Sequence, residues 1–155
     1  FGGTFLNKRL NKGNNGGTTR RTTDVFQLAT AVLFQNPIQN FALAPNNLTD
    51  APQVCLDFLK EIPTEWDEVR YIDGYPGKYA VLARRNGDKW YIAAINAEKE
   101  TLKLNVDLSF LGEKTVKWYG DDKNLQPQLT EKKLKEGKPV SMTIASQGGI
   151  VIVAD

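Results

Sequence analysis

The chain has 155 residues, 41% of them hydrophobic, and its 20 basic and 18 acidic side chains leave a net charge of +2. This composition is typical of a globular protein with one domain, or with one domain and part of another, and it gives no basis for predicting a nucleic-acid partner or a membrane span. The absence of histidine excludes Ser-His-Asp and Cys-His catalysis, and the single cysteine, Cys55, excludes an internal disulfide.

The N-terminal segment has the composition of a loop followed by a helix. Residues 1–19 are rich in glycine and asparagine, which favour turns, so we expect a loop there. Thr22 or Thr23 is a candidate helix cap, and Asp24 suits the first helical turn. Apolar residues then recur at helical spacing, which predicts a helix over 23–35.

A strand and a second helix follow. The short apolar run at 38–43 predicts a buried strand, and apolar residues at helical spacing predict a helix over 51–62, which Pro63 ends. The order helix, strand, helix is typical of α/β proteins. One strand and two helices cannot close a core alone, so we expect this part to need partners that the chain does not carry.

The C-terminal part predicts only strands. Thr101 to Leu108 alternates apolar and polar residues, as a half-buried antiparallel strand does, and Asn86-Gly87 predicts a type I′ hairpin turn. The predicted strands cover 68–73, 78–85, 89–96, 101–108, 114–119, 125–130, 139–145 and 149–154. About eight short strands separated by turns indicate an antiparallel β-sandwich. The predicted fold is therefore mainly β, preceded by an incomplete α/β remnant.

The change of period between Pro63 and Glu68 predicts a domain boundary, with one unit over 1–64 and the other over 65–155. The upstream unit is incomplete, and the downstream unit has enough apolar residues to form its own core. The chain begins with Phe1 and has Met142 as its one methionine. We therefore expect it to be part of a longer polypeptide.

Two groups of carboxylates are candidates for glycoside chemistry, which requires a pair of acids. Glu65, Asp67 and Glu68 surround Trp66 just after a helix stop, and we interpret them as part of a solvated linker whose tryptophan fills the boundary. Asp121-Asp122 lies between two predicted strands and is typical of a turn. The run from Asp121 to Asn124 lacks the further oxygen ligands of a calcium loop. We therefore predict no catalytic residue and no metal ligand in this chain.

Polar and aromatic side chains offer two binding hypotheses. Gln39 and Asn40 lie in an apolar strand, where polar groups near the end of a barrel strand can face a substrate; the alternative is a buried amide with satisfied hydrogen bonds. Trp90 and Trp118 could stack on sugar rings, as in a carbohydrate-binding module. Each has a tyrosine as its neighbour, so the two rings of each pair face opposite sides of the sheet, and at least one packs in a core or an interface.

The glycines near the N-terminus offer a weaker signal. Gly16-Gly17 precedes a predicted helix start, where backbone N–H groups can bind phosphate. The stretch lacks the GxxxxGK[ST] pattern, so we favour a flexible loop over a phosphate site.

Several ordered segments resemble glycoside hydrolase family 97. They are NNGGTTRRTT (14–23), FQLA (26–29), NPIQ (36–39), IPTEWDE (62–68), DGYPGKY (73–79) and ARRNGDKWY (83–91). The resemblance covers essentially the whole chain. It implies that residues 1–64 are the end of a (β/α)8 catalytic barrel and that 65–155 form the C-terminal β-sandwich. Within the first unit, 1–19 resembles the loop after barrel strand 7, 23–35 helix 7, 38–43 strand 8 and 51–62 helix 8.

The resemblance also implies properties of the longer enzyme. Family members cleave α-glucosidic or α-galactosidic bonds with carboxylates and a calcium ion that lie outside the segments matched here. We therefore expect this chain alone to be inactive and free of cofactors, with the missing N-terminal and barrel portions as its partners and an oligosaccharide as the substrate of the whole enzyme. A structural role or homo-oligomer contacts are expected for the β-domain, and the family resemblance places the enzyme in the periplasm or outside the cell. The alternative is a sugar-binding module.

Overall fold

The computed structural model describes residues 2–4, 6, 9–10, 18–34, 38–43 and 51–155. The upstream elements are β1 (Gly2–Thr4), β2 (Arg9–Leu10), β3 (Thr18–Thr19), α1 (Asp24–Leu33), β4 (Gln39–Phe41) and α2 (Gln53–Glu61). The downstream elements are β5 (Glu68–Tyr75), β6 (Tyr79–Asn86), β7 (Lys89–Asn96), β8 (Leu102–Val106), a 3-10 turn (Ser109–Leu111), β9 (Lys114–Asp121), β10 (Pro127–Leu134), β11 (Val140–Ile144) and β12 (Gly149–Ala154).

The predicted mainly β fold with an α/β segment at its start is confirmed. Six antiparallel strands form one sheet in the order β10, β9, β12, β7, β6, β5, and β8 pairs with β11 in a second sheet. These are the eight strands that alternating apolar residues predicted downstream of the helices. Neither helix in the described part of the chain has the length and apolar character needed to cross a membrane.

The prediction of a loop throughout 1–19 is wrong for three short segments. β1 pairs in parallel with β4, with Gly2 opposite Gln39, and β2 pairs antiparallel with β3, with Arg9 opposite Thr19. Glycine has low strand propensity, so the β1 pairing depends on its partner strand and on α1, which connects the two strands, rather than on local sequence. Residues 11–17, with the Gly16-Gly17 pair, lie outside the described residues.

The hairpin between β6 and β7 has a different turn from the predicted one. Asn86 pairs with Lys89, so the two-residue loop is Gly87-Asp88. Gly87 has φ of +57°, whereas Asn86 and Asp88 are not among the residues with positive φ. Positive φ at the first loop position alone is the pattern of a type II′ turn, so the predicted type I′ turn is wrong.

The six-stranded sheet has apolar side chains on both faces. On β7, Trp90, Ile92 and Ala94 enter a core shared with the β8–β11 pair, and Tyr91 and Ala93 enter a second core shared with the helices. Because side chains alternate along a strand, one strand contributes to both cores. The two helices therefore bury their apolar faces against the outer face of the sandwich.

Candidate functional site

The N-terminus of α1 is joined to the sheet by a buried hydrogen-bond network. Thr23 caps the helix by accepting a hydrogen bond from the Phe26 N–H at 3.1 Å, and the Thr23 hydroxyl donates to Asp121 Oδ2 at 2.9 Å. The Gly149 N–H donates to the same oxygen at 3.4 Å. Burial raises the pKa of Asp121 to about 6, and the nearby Asp24 and Asp122 carboxylates act in the same direction. The carboxyl is thus used to hold the helix.

The C-terminus of α1 is held by a buried arginine. Arg84 on β6 is 2% exposed, and its guanidinium donates to the carbonyl oxygens of Leu33 at 2.8 Å and Phe34 at 3.2 Å. Its charge lies 5.7 Å from the centre of the Trp66 ring. Burial lowers the pKa of Arg84. A cation is stabilising beside the unpaired carbonyls at a helix end. Arg84 therefore provides hydrogen bonds to carbonyls at the end of α1, and these carbonyls offset the free-energy cost of burying its charge.

Between these ends, the helices lie directly on the sheet. A Cβ placed on Gly149 would lie 2.7 Å from the Phe26 Cα, so only glycine allows the present approach of α1 to β12. Phe58 of α2 meets Tyr119 edge to face with ring centres 5.0 Å apart, and Trp66 meets Tyr91 in the same way at 5.3 Å. Aromatic pairs in this geometry add to the stabilisation from burial.

The carboxylates around Trp66 form surface ion pairs and turn contacts. Glu68 accepts from Arg70 at 2.6 Å and from Arg85 at 3.3 Å, and hydrogen bonding with Arg70 is the main cause that lowers its pKa. Asp67 accepts from the Gly87 N–H at 2.7 Å. Glu65 contributes its backbone carbonyl to the Asn86 side chain at 3.0 Å. These groups support the β6–β7 hairpin.

Asp122 has a turn role, as the sequence indicated. Its Oδ1 accepts from the backbone N–H groups of Asn124 at 2.7 Å and Gln126 at 2.9 Å. Within the described residues, no group of three or more His, Cys, Asp or Glu side chains could hold a metal ion.

Gln39 and Asn40 lie on β4 and differ in their surroundings. Gln39 is half-buried, and its side-chain nitrogen donates to the Ala31 carbonyl of α1 at 2.9 Å. Asn40 is exposed. Gln39 therefore connects strand and helix in this structure, and a role for either residue in substrate binding stays a prediction.

Trp90 and Trp118 are both buried, at 9% and 6% exposed, and each faces away from its tyrosine neighbour. Trp90 meets the Phe110 ring at 4.8 Å, and the Arg70 guanidinium lies 4.8 Å from its ring centre. Lys132 Nζ lies 3.5 Å from the centre of Trp118. Covered rings cannot stack on a sugar, so the structure does not favour the sugar-binding alternative.

An open apolar groove of about 350 Å³ lies between β4 and α2. It is lined by Phe41, Leu43, Gln53, Leu56, Leu59 and Lys60. The groove was not predicted from the sequence, because helical spacing indicated one apolar face for this helix, made of Val54, Cys55, Phe58, Leu59 and Ile62. Leu56 lies outside that face, and an apolar residue there was the available signal for a second apolar side.

Comparison with known proteins identifies the architecture. A family model described as "Glycosyl-hydrolase 97 C-terminal, oligomerisation" matches residues 65–154. The chain belongs to glycoside hydrolase family 97. The resemblance seen in the sequence is thereby confirmed, and the chain corresponds to the C-terminal part of family 97 enzymes.

The proteins that this chain matches are much longer than the chain itself. A retaining alpha-galactosidase of Bacteroides thetaiotaomicron is 42% identical over 89 residues, which are 57% of this chain and 13% of that protein. The crystal structure of a beta-arabinopyranosidase is 65% identical with a TM-score of 0.93, and the match covers 99% of this chain and 24% of that one. A family 97 enzyme of Pseudoalteromonas sp. strain K8 is 23% identical with a TM-score of 0.81 over 99% of this chain and 25% of its own, and it shows the fold alone.

Proposed function

We propose that this chain is the C-terminal support of a larger family 97 glycosidase, in which the β-sandwich holds the last strands and helices of the catalytic barrel in place. The observation that carries this proposal is the second core, where α1 and α2 bury their apolar faces against the six-stranded sheet. Asp121 and Arg84 hold the two ends of α1. A helix fixed at both ends positions the strands that it connects, β1 and β4.

The open groove between β4 and α2 supports the same role. Its lining is apolar except for Gln53 and Lys60, and an apolar groove that opens to the surface can take an apolar side chain from a neighbouring part of the protein. β1 and β4 form a two-stranded parallel sheet in the described part of the chain. Parallel sheets are normally larger and covered on both faces. The remaining barrel strands and helices would complete both features.

For the substrate of the whole enzyme, we propose a galactose-configured pyranoside. Two relatives support this proposal: the retaining alpha-galactosidase and the beta-arabinopyranosidase, which is 65% identical over 99% of this chain. A β-L-arabinopyranoside has the ring stereochemistry of an α-D-galactopyranoside and lacks only the hydroxymethyl group. One binding pocket can therefore accept both sugars. We also propose that the enzyme retains the configuration at the anomeric carbon, on the basis of the alpha-galactosidase, which is described as retaining.

Cofactor and location belong to the proposal as well. The described residues do not fit a calcium ion, since they contain no cluster of three metal-ligating side chains. We propose that residues other than those that the structure describes hold the calcium expected from the family. We place the enzyme in the periplasm or outside the cell; fractionation of cells that make the longer enzyme is the test.

The direct test compares the longer polypeptide with this chain alone. We expect the longer polypeptide to hydrolyse nitrophenyl α-D-galactopyranoside and β-L-arabinopyranoside far faster than nitrophenyl α-D-glucopyranoside. We expect this chain alone to hydrolyse none of them, because its carboxylates are used in turns, ion pairs and the helix contact. Hydrolysis by this chain that disappears in Asp121→Asn or Glu68→Gln would contradict the structural role.

Oligomer contacts are the second role that we propose for the β-domain, on the basis of the family description. Sedimentation velocity of the longer polypeptide and of this chain at several concentrations tests it. Two assemblies of the same stoichiometry would support oligomer contacts through this chain. A monomeric chain beside an oligomeric longer enzyme would assign the contacts to other domains.

A further inference from the structure

In the part of the chain that the structure describes, two strands at one end of the six-stranded sheet lack a helical cover. α1 lies over β12 and β7, and α2 lies beside α1 with contacts to β9 and β10. The next strands in the sheet are β6 and β5. Three of the seven large apolar side chains that are exposed in the described residues lie here: Val69 (46%) and Tyr71 (69%) on β5, and Phe34 (41%), whose carbonyl accepts from Arg84 of β6. With the half-buried Leu82, we call these residues the β5–β6 patch.

The strand register places this patch on the helical face of the sheet. Val69 pairs with Arg84, and Tyr71 pairs with Leu82. Residues paired across a ladder share a face, and Arg84 reaches the end of α1. A bulge then shifts the register after Tyr71, so Tyr75 pairs with Tyr79, whose side chain packs in the other core. Tyr71 and Tyr75 are thus exposed on opposite faces of the same strand.

Packing distances indicate what the uncovered strands can accept. Neighbouring strands lie about 4.8 Å apart, and packed helices lie about 8–10 Å apart, so one helix covers about two strands. α1 and α2 follow this rule on four of the six strands. The two strands that remain lie beside α1 on the side away from α2. Trp66 covers part of β6 there, and the outer strand β5 has no helix beside it among the described residues.

Chain connectivity indicates where such a helix would come from. β1 and β4 are parallel, and α1 connects them, so the upstream part of the chain is a β/α repeat. Crossovers between parallel strands are almost always right-handed, which makes consecutive helices neighbours in chain order. The neighbour of α1 opposite α2 would therefore be the helix that leads into β1.

We propose that an amphipathic helix, supplied by the segment that leads into β1 in the longer enzyme, covers the β5–β6 patch. The proposal rests on the proposed function, since this chain covers only about a quarter of the length of two solved proteins that it matches. The patch is suited to an apolar helix face: Arg84 already binds α1, and the Tyr71 hydroxyl donates to the Gly74 carbonyl at 2.9 Å. The charged pair Glu68–Arg85 lies on the other face of the sheet.

The opposite faces of β5 provide a matched pair of labelling sites. Tyr71→Cys reports on the patch, and Tyr75→Cys, at a position 58% exposed, is its control on the other face. Native Cys55 is buried and contributes little background. We would measure maleimide labelling rates in this chain and in the longer polypeptide. We expect Tyr71→Cys to react about tenfold or more slowly in the longer polypeptide, with Tyr75→Cys nearly unchanged.

Three results would overturn the proposal. Equal labelling rates of Tyr71→Cys in both proteins would show that nothing covers the patch. Val69→Cys, a second position in the patch, should show the same difference in labelling rate as Tyr71→Cys. Equal protection of both positions would show that the whole edge is covered rather than one face. Protection in this chain that grows with its concentration would make a second copy the occupant. Glycoside assays on the same samples report on the proposed function separately, because labelling does not depend on activity.

Discussion

Gly149 of β12 lies directly against Phe26 of α1: a Cβ on Gly149 would be 2.7 Å from the Phe26 Cα and 2.8 Å from its nitrogen. Both obstacles are backbone atoms in a helix, so they cannot move as a flexible side chain would. We therefore expect Gly149→Ala to displace α1 and to lower the free energy of unfolding by about 1–3 kcal/mol, the usual range for overpacking.

Urea unfolding followed by circular dichroism would measure this effect. Ser141→Thr is a suitable control, since it also adds one carbon to a strand but at an exposed position of β11. We expect the control to change stability by less than about 0.5 kcal/mol. If Gly149→Ala were as stable as the control, the close contact between α1 and β12 would be incorrect.

Arg84 is expected to be the most important single contact at the other end of the helix. Arg84→Met keeps much of the apolar stem but removes both hydrogen bonds to the Leu33 and Phe34 carbonyls. Losing charged hydrogen bonds to buried carbonyls should cost about 2–3 kcal/mol. Arg84→Lys should restore only part of the lost stability, because an ammonium group lacks the planar set of donors with which the guanidinium reaches two carbonyls. A lysine variant with full stability would show that the charge alone matters.

The fold of the C-terminal part was largely predictable from sequence because its strands are short runs, either alternating or apolar throughout, that turn residues separate. Strands such as β7 and β12 have apolar side chains on both faces, and turn residues mark their ends. The aromatic pairs were also predicted to divide between two faces, and Trp90 and Tyr91 do so. β1 was not predictable in this way. Its two glycines read as a loop, and its pairing requires β4, which lies far along the chain.

The contacts that hold α1 were missed for a related reason. Arg84 is one of two adjacent arginines before a turn, and such residues are usually solvated. The available signal was its position: Val81 and Ala83 face one core, so Arg84 lies on the opposite face of β6, the strand next to the sheet edge. Gly149 follows Gly148 and begins the predicted strand 149–154, and nothing in the local sequence marks it as a helix contact. Which glycine touches a helix depends on tertiary packing.

The burial of Trp90 and Trp118 predicts that this chain does not bind sugars through them. Titration with maltooligosaccharides or galactosides should leave tryptophan emission without a saturable change, since the two side chains are only 9% and 6% exposed and each ring already contacts another side chain. Trp66, which contacts Tyr91, is the third tryptophan and can be monitored in the same spectra. A saturable change that disappears in Trp90→Phe or Trp118→Phe would restore the sugar-binding hypothesis.

The raised pKa of Asp121 predicts that the chain loses stability as the pH rises from 4 to 7. Its pKa is about 6 in the folded chain against an ordinary value of 3.8, chiefly because it is buried. A raised pKa means that the folded state binds the proton more tightly than the unfolded state. The stabilising contribution is complete below about pH 4 and is lost as the pH rises through 6. The difference corresponds to about 3 kcal/mol, at 1.36 kcal/mol for each pKa unit.

Urea unfolding at pH 4 and pH 7 would measure this linkage. Asp121→Asn keeps an oxygen that can accept from Thr23, but it cannot ionise. The loss of stability between pH 4 and pH 7 should therefore be about 2–3 kcal/mol smaller in this variant than in the unmodified chain. Asp122→Asn is the control, because its turn hydrogen bonds need only one side-chain oxygen. If both variants followed the pH dependence of the unmodified chain, the Asp121 carboxyl would not be the group responsible, and the contact between Thr23 and Asp121 would be insensitive to charge.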